Sequence, residues 1–358
     1  MAEISAYKVS ASPHKTSDVT TQRLMIDVMI ALVPCLVVGV LYYGLWSLML
    51  VAISMATCFA SEQIYNLARR RPLTFDLSAL VTGLILGLNL PPRAPWYIPV
   101  IGGVFAIVIV KMLFGGLGKN FANPAATARV FLLLAYSSIM TSWVAADITG
   151  NFLSVDVAST ATYLSSGSAA LADSFLGVSG YWGNILQLLF GYTGGTIGET
   201  CSLAVIAGFL YLTARRVIDW RIPAVYLLTA ATMLVLCTGD GSEVLPQLLS
   251  GGILFGSVFM ATDYATSPKW RYNRILYAVG LGVITVIIRQ FGNYPEGVSF
   301  AILIMNILVP VMDKYLLPVR FGQLTKKGKP APEIMKWAML GLCAVMVILC
   351  AVLIPVLW

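Results

Sequence analysis

Charge is scarce in this chain: Asp, Glu, Lys and Arg make up 11% of its 358 residues, while 58% are hydrophobic. The 23 basic and 16 acidic side chains are too few to cover the surface of a soluble protein, in which about a quarter of residues are charged. A soluble fold is excluded. Histidine is nearly absent, and the single one, His14, stands in a polar tail over residues 1–23, which excludes a proton relay built on imidazole. Cysteines are few and unclustered. Cys35, Cys58, Cys201, Cys237, Cys343 and Cys350 all lie in apolar stretches without CxxC or CxxxC spacing, so they read as packing residues and hold no iron–sulfur cluster. There is no Gly-x-Gly-x-x-Gly following a strand, hence no dinucleotide fold. The N-terminus shows no secretory leader with a small-residue cleavage site. The net charge of +7 records topology, because Lys and Arg gather in cytoplasmic loops, and nucleic acid is excluded as a partner.

What the chain has is long apolar runs. A bilayer-crossing helix takes about 20 mostly apolar residues, and windows of that kind occur at 24–43, 46–66, 75–91, 95–113, 126–144, 199–214, 222–238, 244–262, 274–290, 298–317 and 336–357. Basic residues follow every even-numbered window up to the tenth: Arg69, Arg70 and Arg71, then Lys119, then Arg215, Arg216 and Arg221, then Lys269, Arg271 and Arg274, then Arg320, Lys326, Lys327 and Lys329. The opposite loops are nearly free of them, Arg93 and Arg289 excepted, and no basic residue occurs from Val130 to Ala214. The positive-inside rule gives a cytoplasmic N-terminus and an external C-terminus, in a lipid membrane that the chain crosses many times.

The expected fold is an all-α polytopic membrane protein with about ten core transmembrane helices in two inverted five-helix repeats, plus an extra C-terminal helix. The first repeat is 24–144 and the second 199–318, with a basic cytoplasmic linker at 319–335 and the extra helix at 336–358. The repeat is read from two echoes: Thr82-Gly83-Leu84-Ile85-Leu86 recurs as Ser250-Gly251-Gly252-Ile253-Leu254, and Phe114-Gly115-Gly116 as Phe291-Gly292-Asn293. An odd number of spans per copy turns the second copy over, as in transporters and channels. Between the repeats, residues 145–198 form a long external loop rich in Ser, Thr, Gly and Ala; loops of that length usually carry function.

Two groups of residues are candidates for an ion path. Gly118-Lys119-Asn120-Phe121-Ala122-Asn123-Pro124 breaks the edge of a span, where Asn120 and Asn123 would line exposed backbone; Pro124 also suits an ordinary helix start. Asp27, Glu62, Lys111 and Asp263 lie inside apolar windows, which marks function by default. All four fall within about two turns of the cytoplasmic ends, where snorkelling to headgroups accounts for them. Asp263 is retained with the two asparagines.

Inside the external loop stands Asp156-Val157-Ala158-Ser159-Thr160-Ala161-Thr162. Here the chain resembles the D subunits of Rnf complexes and the B subunits of sodium-pumping NADH:quinone reductases, which carry FMN bonded through its phosphate to a threonine in an S/T-G-A-T type motif. The resemblance extends over most of residues 10–322, through SPH near the N-terminus, LGLNLPPRAPWY, GGLGKNFANPA, GETCSLA, FMATDYATSP and FGNYPEGVSFAILIMN. It departs from the family at Thr160, which stands where the motif has glycine, and at the segment beyond 322.

The resemblance implies covalent FMN on Thr162, with Asp156, Ser159, Thr160 and Ala161 around it, and leaves open whether a second, non-covalent flavin is present. It implies a subunit, not catalytic alone, of a redox-driven ferredoxin:NAD⁺ oxidoreductase in a bacterial inner membrane, translocating Na⁺ or H⁺. Its implied partners are the A, B, C, E and G subunits and a flavin transferase. Gly198, Glu199 and Thr200, at the expected start of the sixth span, are the candidates to line the flavin, since a helix N-terminus offers free amides to phosphate. The competing reading from another class is a stand-alone inverted-repeat channel or secondary transporter without flavin.

Overall fold

The computed structural model describes residues 20–144, 163–166, 171, 174–175, 177–292, 297–316 and 341. The expected linker at 319–335, nearly all of the extra helix at 336–358, and the motif at 156–162 lie outside them.

The described residues are mostly helical. The first hairpin joins α1 (Thr21–Tyr43) and α2 (Leu45–Ala68) through the single residue Gly44. Its φ of 78° lies where a side chain would clash, so glycine permits the reversal in one residue. The third window yields only α3 (Ser78–Leu88), eleven residues ending at Asn89 before Leu90-Pro91-Pro92. The fourth yields α4 (Tyr97–Val104), which runs on as a π-helix over Phe105–Met112. The fifth yields α5 (Pro124–Ala135) and the short α6 (Ser137–Met140). Pro124 indeed opens a helix, and the Asn123 side chain caps it by accepting from Ala125 N and Ala126 N at 3.0 and 3.2 Å.

The segment expected to form the long external loop carries secondary structure of its own among its described residues. It contains α7 (Tyr163–Ser166), a two-stranded antiparallel hairpin of β1 (Ser174–Phe175) and β2 (Val178–Ser179), and the amphipathic α8 (Tyr181–Phe190). After it come α9 (Ser202–Ala214) and α10 (Arg221–Thr238). The eighth window breaks in two. A short turn and α11 (Val244–Leu249) are separated by Ser250-Gly251-Gly252 from α12 (Ile253–Phe255) and a second π-helix over Gly256–Met260, with a bend of 65°. Then follow α13 (Arg271–Phe291) and α14 (Val298–Tyr315).

Among the described residues five helices, α1, α2, α10, α13 and α14, are long and apolar enough to cross a bilayer singly, or six spans if the bent pair counts as one. The other four windows hold shorter apolar helices. Hydropathy sums the apolar loop residues with the helices and so overstates the lengths of α3 and α5. The echoed segments also differ in conformation: Thr82–Leu86 is mid-helix, whereas Ser250–Leu254 straddles the break.

Close backbone approach holds the bundle together, as expected where apolar burial gives little drive between helices. A Cβ at Gly83 or Gly87 would fall 2.6 or 2.9 Å from the α2 backbone at Met55 and Val51. In the second half of the chain one at Gly282 would fall 2.7 Å from Thr229 of α10. Helix α1 packs on α9, and α5 on α14, so the two halves are joined. Leu32, Leu86, Leu88, Leu132, Tyr226, Phe255 and Tyr277 are fully buried in the core.

Candidate functional site

The structure gathers polar groups at three levels. At the centre of the bundle the Arg129 guanidinium of α5 donates to Glu199 Oε1 and to Asn89 Oδ1, and reaches Glu199 Oε2 at 3.4 Å. Arg129, Glu199 and Asn89 are nearly solvent-free, at 4, 6 and 0% exposure. Asn89 Nδ2 completes the cluster by donating to Ile85 O at 2.7 Å. The ends of two broken spans converge here. Gly198 N donates to Leu88 O at 2.8 Å and Ile197 N to Leu90 O at 3.2 Å, so the segment before α9 fastens to the end of α3. A Cβ at Gly252 would come within 2.6 Å of Glu199 Oε1, so a side chain at the break of the eighth span would have to displace the paired carboxylate.

This geometry corrects the expected position of Gly198, Glu199 and Thr200 at a helix N-terminus. Helix α9 begins at Ser202, so the three precede it rather than form its N-terminus. The Gly198 amide is engaged by Leu88, Glu199 is paired with Arg129, and Thr200 Oγ1 is held by Thr196 O at 2.5 Å and the Tyr43 hydroxyl at 2.9 Å. Arg129 was not singled out from the sequence. The available signal was a lone arginine within an apolar window next to a stretch of 85 residues, Val130 to Ala214, without another cation and with one glutamate in its later part.

The second level is a cavity of about 90 Å³ at the expected cytoplasmic end, whose lining includes Ser78, Lys111, Asn120, Asn123, Thr262 and Asp263. Asn120 and Asn123 thus share a cavity with Asp263, about 140 residues further along the sequence. Their contributions differ. Asp263 accepts from Thr266 Oγ1 at 3.0 Å, with the Asn120 side chain approaching it. Asn123 has both ends of its amide in use, one capping α5 and the other donating to Met260 O at 3.1 Å, so it shapes the wall.

Snorkelling does not describe the remaining ionisable residues. Lys111 Nζ donates to Glu62 Oε1 at 2.8 Å and Ser78 Oγ at 2.6 Å, with both charged groups buried. Asp27 is buried and accepts from Tyr211 OH at 3.1 Å and Arg215 Nη2 at 3.2 Å. A charge in lipid finds a partner across helices when one is within reach.

The third level is at the expected outer face, beside the motif. Tyr163, the residue after Thr162, is 5% exposed and donates its hydroxyl to Glu243 Oε2 at 2.9 Å. Burial first, and then the Glu243 carboxylate, hold that hydroxyl above its ordinary range, so it remains a donor. Ser159, Thr160, Ala161, Thr162 and Asp156 lie outside the described residues.

A helical membrane protein whose broken spans lock around a buried arginine–glutamate pair, with a polar cavity at one end, is the class this geometry defines. Residues 8–322 match the model of the NQR2, RnfD, RnfE family, and the chain belongs to that family. It is 44% identical over 326 residues to the D subunit of the Na⁺-translocating ferredoxin:NAD⁺ oxidoreductase complex of Acetobacterium woodii, covering 90% of this chain and 97% of the relative. It is 37% identical over 342 residues to the D subunit of the ion-translocating oxidoreductase complex of Stutzerimonas stutzeri, covering 87% and 94%. The D subunit of the proton-translocating ferredoxin:NAD⁺ oxidoreductase complex of Clostridium ljungdahlii is 36% identical over 327 residues, covering 88% and 96%.

Proposed function

We propose that this chain is a membrane subunit of an ion-translocating ferredoxin:NAD⁺ oxidoreductase complex, in the place that the D subunits hold in its relatives, and that it carries FMN esterified to Thr162 on the outer face of a bacterial inner membrane. The observation that carries the reading is the family match, which runs through Ser159-Thr160-Ala161-Thr162 to residue 322. The relatives are subunits of complexes by name, and this chain, with no iron–sulfur or nicotinamide motif of its own, takes electrons from and returns them to other subunits. Two five-helix repeats in opposite orientation fit the pairing of α1 with α9 and of α5 with α14, since a two-fold relation brings corresponding helices together.

The residues beside the motif suit a covalent flavin. Tyr163 is pinned by Glu243, and Leu164 lies against Gly251, so the chain is fixed one peptide bond past the acceptor hydroxyl. Bound FMN supplies one- and two-electron redox chemistry. Thr162 supplies the ester oxygen: a flavin transferase would join Oγ to the FMN phosphorus of a flavin dinucleotide donor, whose nucleoside monophosphate leaves with the hydroxyl proton. A tether removes dissociation and keeps the carrier near its exchange partners.

The intact mass of the purified subunit tests this. A gain of one FMN less water is expected in the unsubstituted chain and in Thr160→Val, and none in Thr162→Val. A mass without the gain in the unsubstituted chain overturns the covalent reading, and its loss in Thr160→Val shifts the acceptor. Flavin released on denaturation, counted beside the covalent one, tests for the second, non-covalent flavin.

For the ion, the reading assigns entry to the cavity containing Asp263 and Asn120. Carboxylate and amide oxygens serve Na⁺ and proton transfer alike, and the named relatives differ in their ion. Asp263→Asn is expected to lower ion transport per electron by roughly tenfold or more while electron transfer persists; vesicles that pump normally with this variant would remove Asp263 from the path.

A further inference from the structure

At the expected cytoplasmic end a groove of about 350 Å³ opens between the end of α9, the start of α10 and the start of α13. Its lining includes Thr213, Arg216, Asp219, Trp220, Tyr264 and Arg274. Tyr264 and Val217 also line the polar cavity, and the Tyr264 hydroxyl joins them in a shared wall by donating to Val217 O. The groove is positively charged. The Asp219 carboxylate in its lining is matched by Arg274 at 2.8 Å and by Arg221 at 3.8 Å. Arg216 is left over: among the described residues no carboxylate pairs with it, unlike its neighbour Arg215, which pairs with Asp27. A groove of this sign repels cations, so it is no mouth for an ion path.

Arg216 also holds an unusual backbone. Its φ of 55° lies in the left-handed region, just past α9, where Arg216 N donates to Thr213 O and Val217 N to Leu212 O. Glycine is the ordinary residue at that place in a helix end; arginine is strained there, which points to a use for its side chain. Arg70 repeats the conformation at the end of α2, with a φ of 53°, but lines neither the groove nor the polar cavity. One turn before Arg216 the Thr213 hydroxyl has no hydrogen-bond partner, whereas Thr229, Thr238 and Thr262 each donate to the carbonyl four residues back. The groove borders surface that suits lipid. Trp220 and Tyr264 are more than half exposed, as aromatic side chains at headgroup level are. Deeper in the span, Leu210 of α9 and Leu228 of α10 are exposed as well.

We infer that this groove holds the headgroup phosphate of an anionic phospholipid, with Arg216 as its charge partner and the acyl chains on the apolar surface of α9 and α10. The phosphate of such a lipid keeps a negative charge, and the arginine fork matches two of its oxygens as an ammonium does not. Basic pockets between helices at the cytoplasmic side take anionic headgroups. A free phosphate ester offers the same oxygens without the chains, and the exposed apolar residues beside the groove favour the lipid. The inference requires neither the flavin nor the ion path.

The test titrates the purified, delipidated complex in detergent with phosphatidylglycerol or phosphatidylcholine and counts bound lipid by native mass spectrometry. The unsubstituted complex is expected to bind one phosphatidylglycerol in preference to phosphatidylcholine, and Arg216→Gly to weaken that binding roughly fivefold or more. Arg216→Gln should do the same and Arg216→Lys less, while Arg70→Gly, with the same charge change and the same backbone relief, leaves it unchanged. A merely structural Arg216 gives the opposite result: Arg216→Gly, relieved of strain, raises the thermal midpoint and binds lipid as before, which overturns the inference. If Arg216→Gly does not assemble, unchanged binding in Arg216→Gln overturns it equally. Glycerophosphoglycerol, the headgroup without chains, is expected to compete poorly; displacement of the lipid at equal concentration would make this a site for free phosphate esters. Loss of a subunit from the Arg216→Gly complex with lipid binding unchanged would make it a protein interface instead.

Discussion

Replacing Arg129 by methionine is expected to destabilise the protein by about 3–5 kcal/mol, the cost of leaving one member of a buried ion pair without the other. Side-chain exposures of 4% for Arg129 and 2% for Glu199 leave little water to take over. The loss reaches beyond the pair, because Arg129 also holds Asn89 at the end of α3, and Glu199 abuts Gly252 at the break of the eighth span. The double variant Arg129→Met/Glu199→Leu should recover most of the loss, since apolar side chains of similar volume often replace a buried pair at little cost. Thermal midpoints of the detergent-solubilised complex measure both. A single variant with an unchanged midpoint, or a double variant no better than the single, contradicts this account.

Vesicles holding the Thr162→Val complex are expected to lose ferredoxin-dependent NAD⁺ reduction almost entirely while the subunits still purify together. Valine keeps the shape of threonine and removes only the hydroxyl. In the proposed arrangement, with the flavin on the outer face and both soluble substrates inside, electrons would cross the membrane outward and return, and each charge moved across 100 mV is worth about 2.3 kcal/mol. That is enough to bias a conformational change that gates an ion. NAD⁺ reduction at the normal rate in such vesicles would put the flavin off the electron path.

The sequence made the membrane class, the helical windows and the order of elements legible, because hydropathy is a local property. The glycines of α3 did not announce its close packing on α2, since a glycine's neighbour is on another helix. The same limit applied to charge. Glu62 and Lys111 were each visible as costly residues in an apolar run, yet their pairing across 49 residues is a fact of tertiary structure, and without it snorkelling was the cheaper account. Pro124 was legible as a helix start because that signal is local, whereas Asn123, read only as lining an ion path, turned out to cap the helix as well. Arg129 was not legible as the centre of the bundle, because its partners come from segments 40 and 70 residues away. Glu199 was noticed and given the wrong surroundings: hydropathy placed the helix start at residue 199, three residues before the backbone enters the helix.

The same separation has a consequence for how the chain is made. Arg129 leaves the ribosome 70 residues ahead of Glu199, which at 5–20 residues per second is an interval of about 4–14 s. During that time its guanidinium enters the bilayer without its carboxylate, at a cost of roughly 2.5–3.5 kcal/mol on the scale of translocon-mediated insertion. The fifth segment therefore stays loosely held, beside the translocon or near a headgroup region, until the stretch before α9 emerges and fastens to Leu88 and Leu90. The amino-terminal half of the protein cannot reach its final arrangement by itself; translation of the second half completes the first.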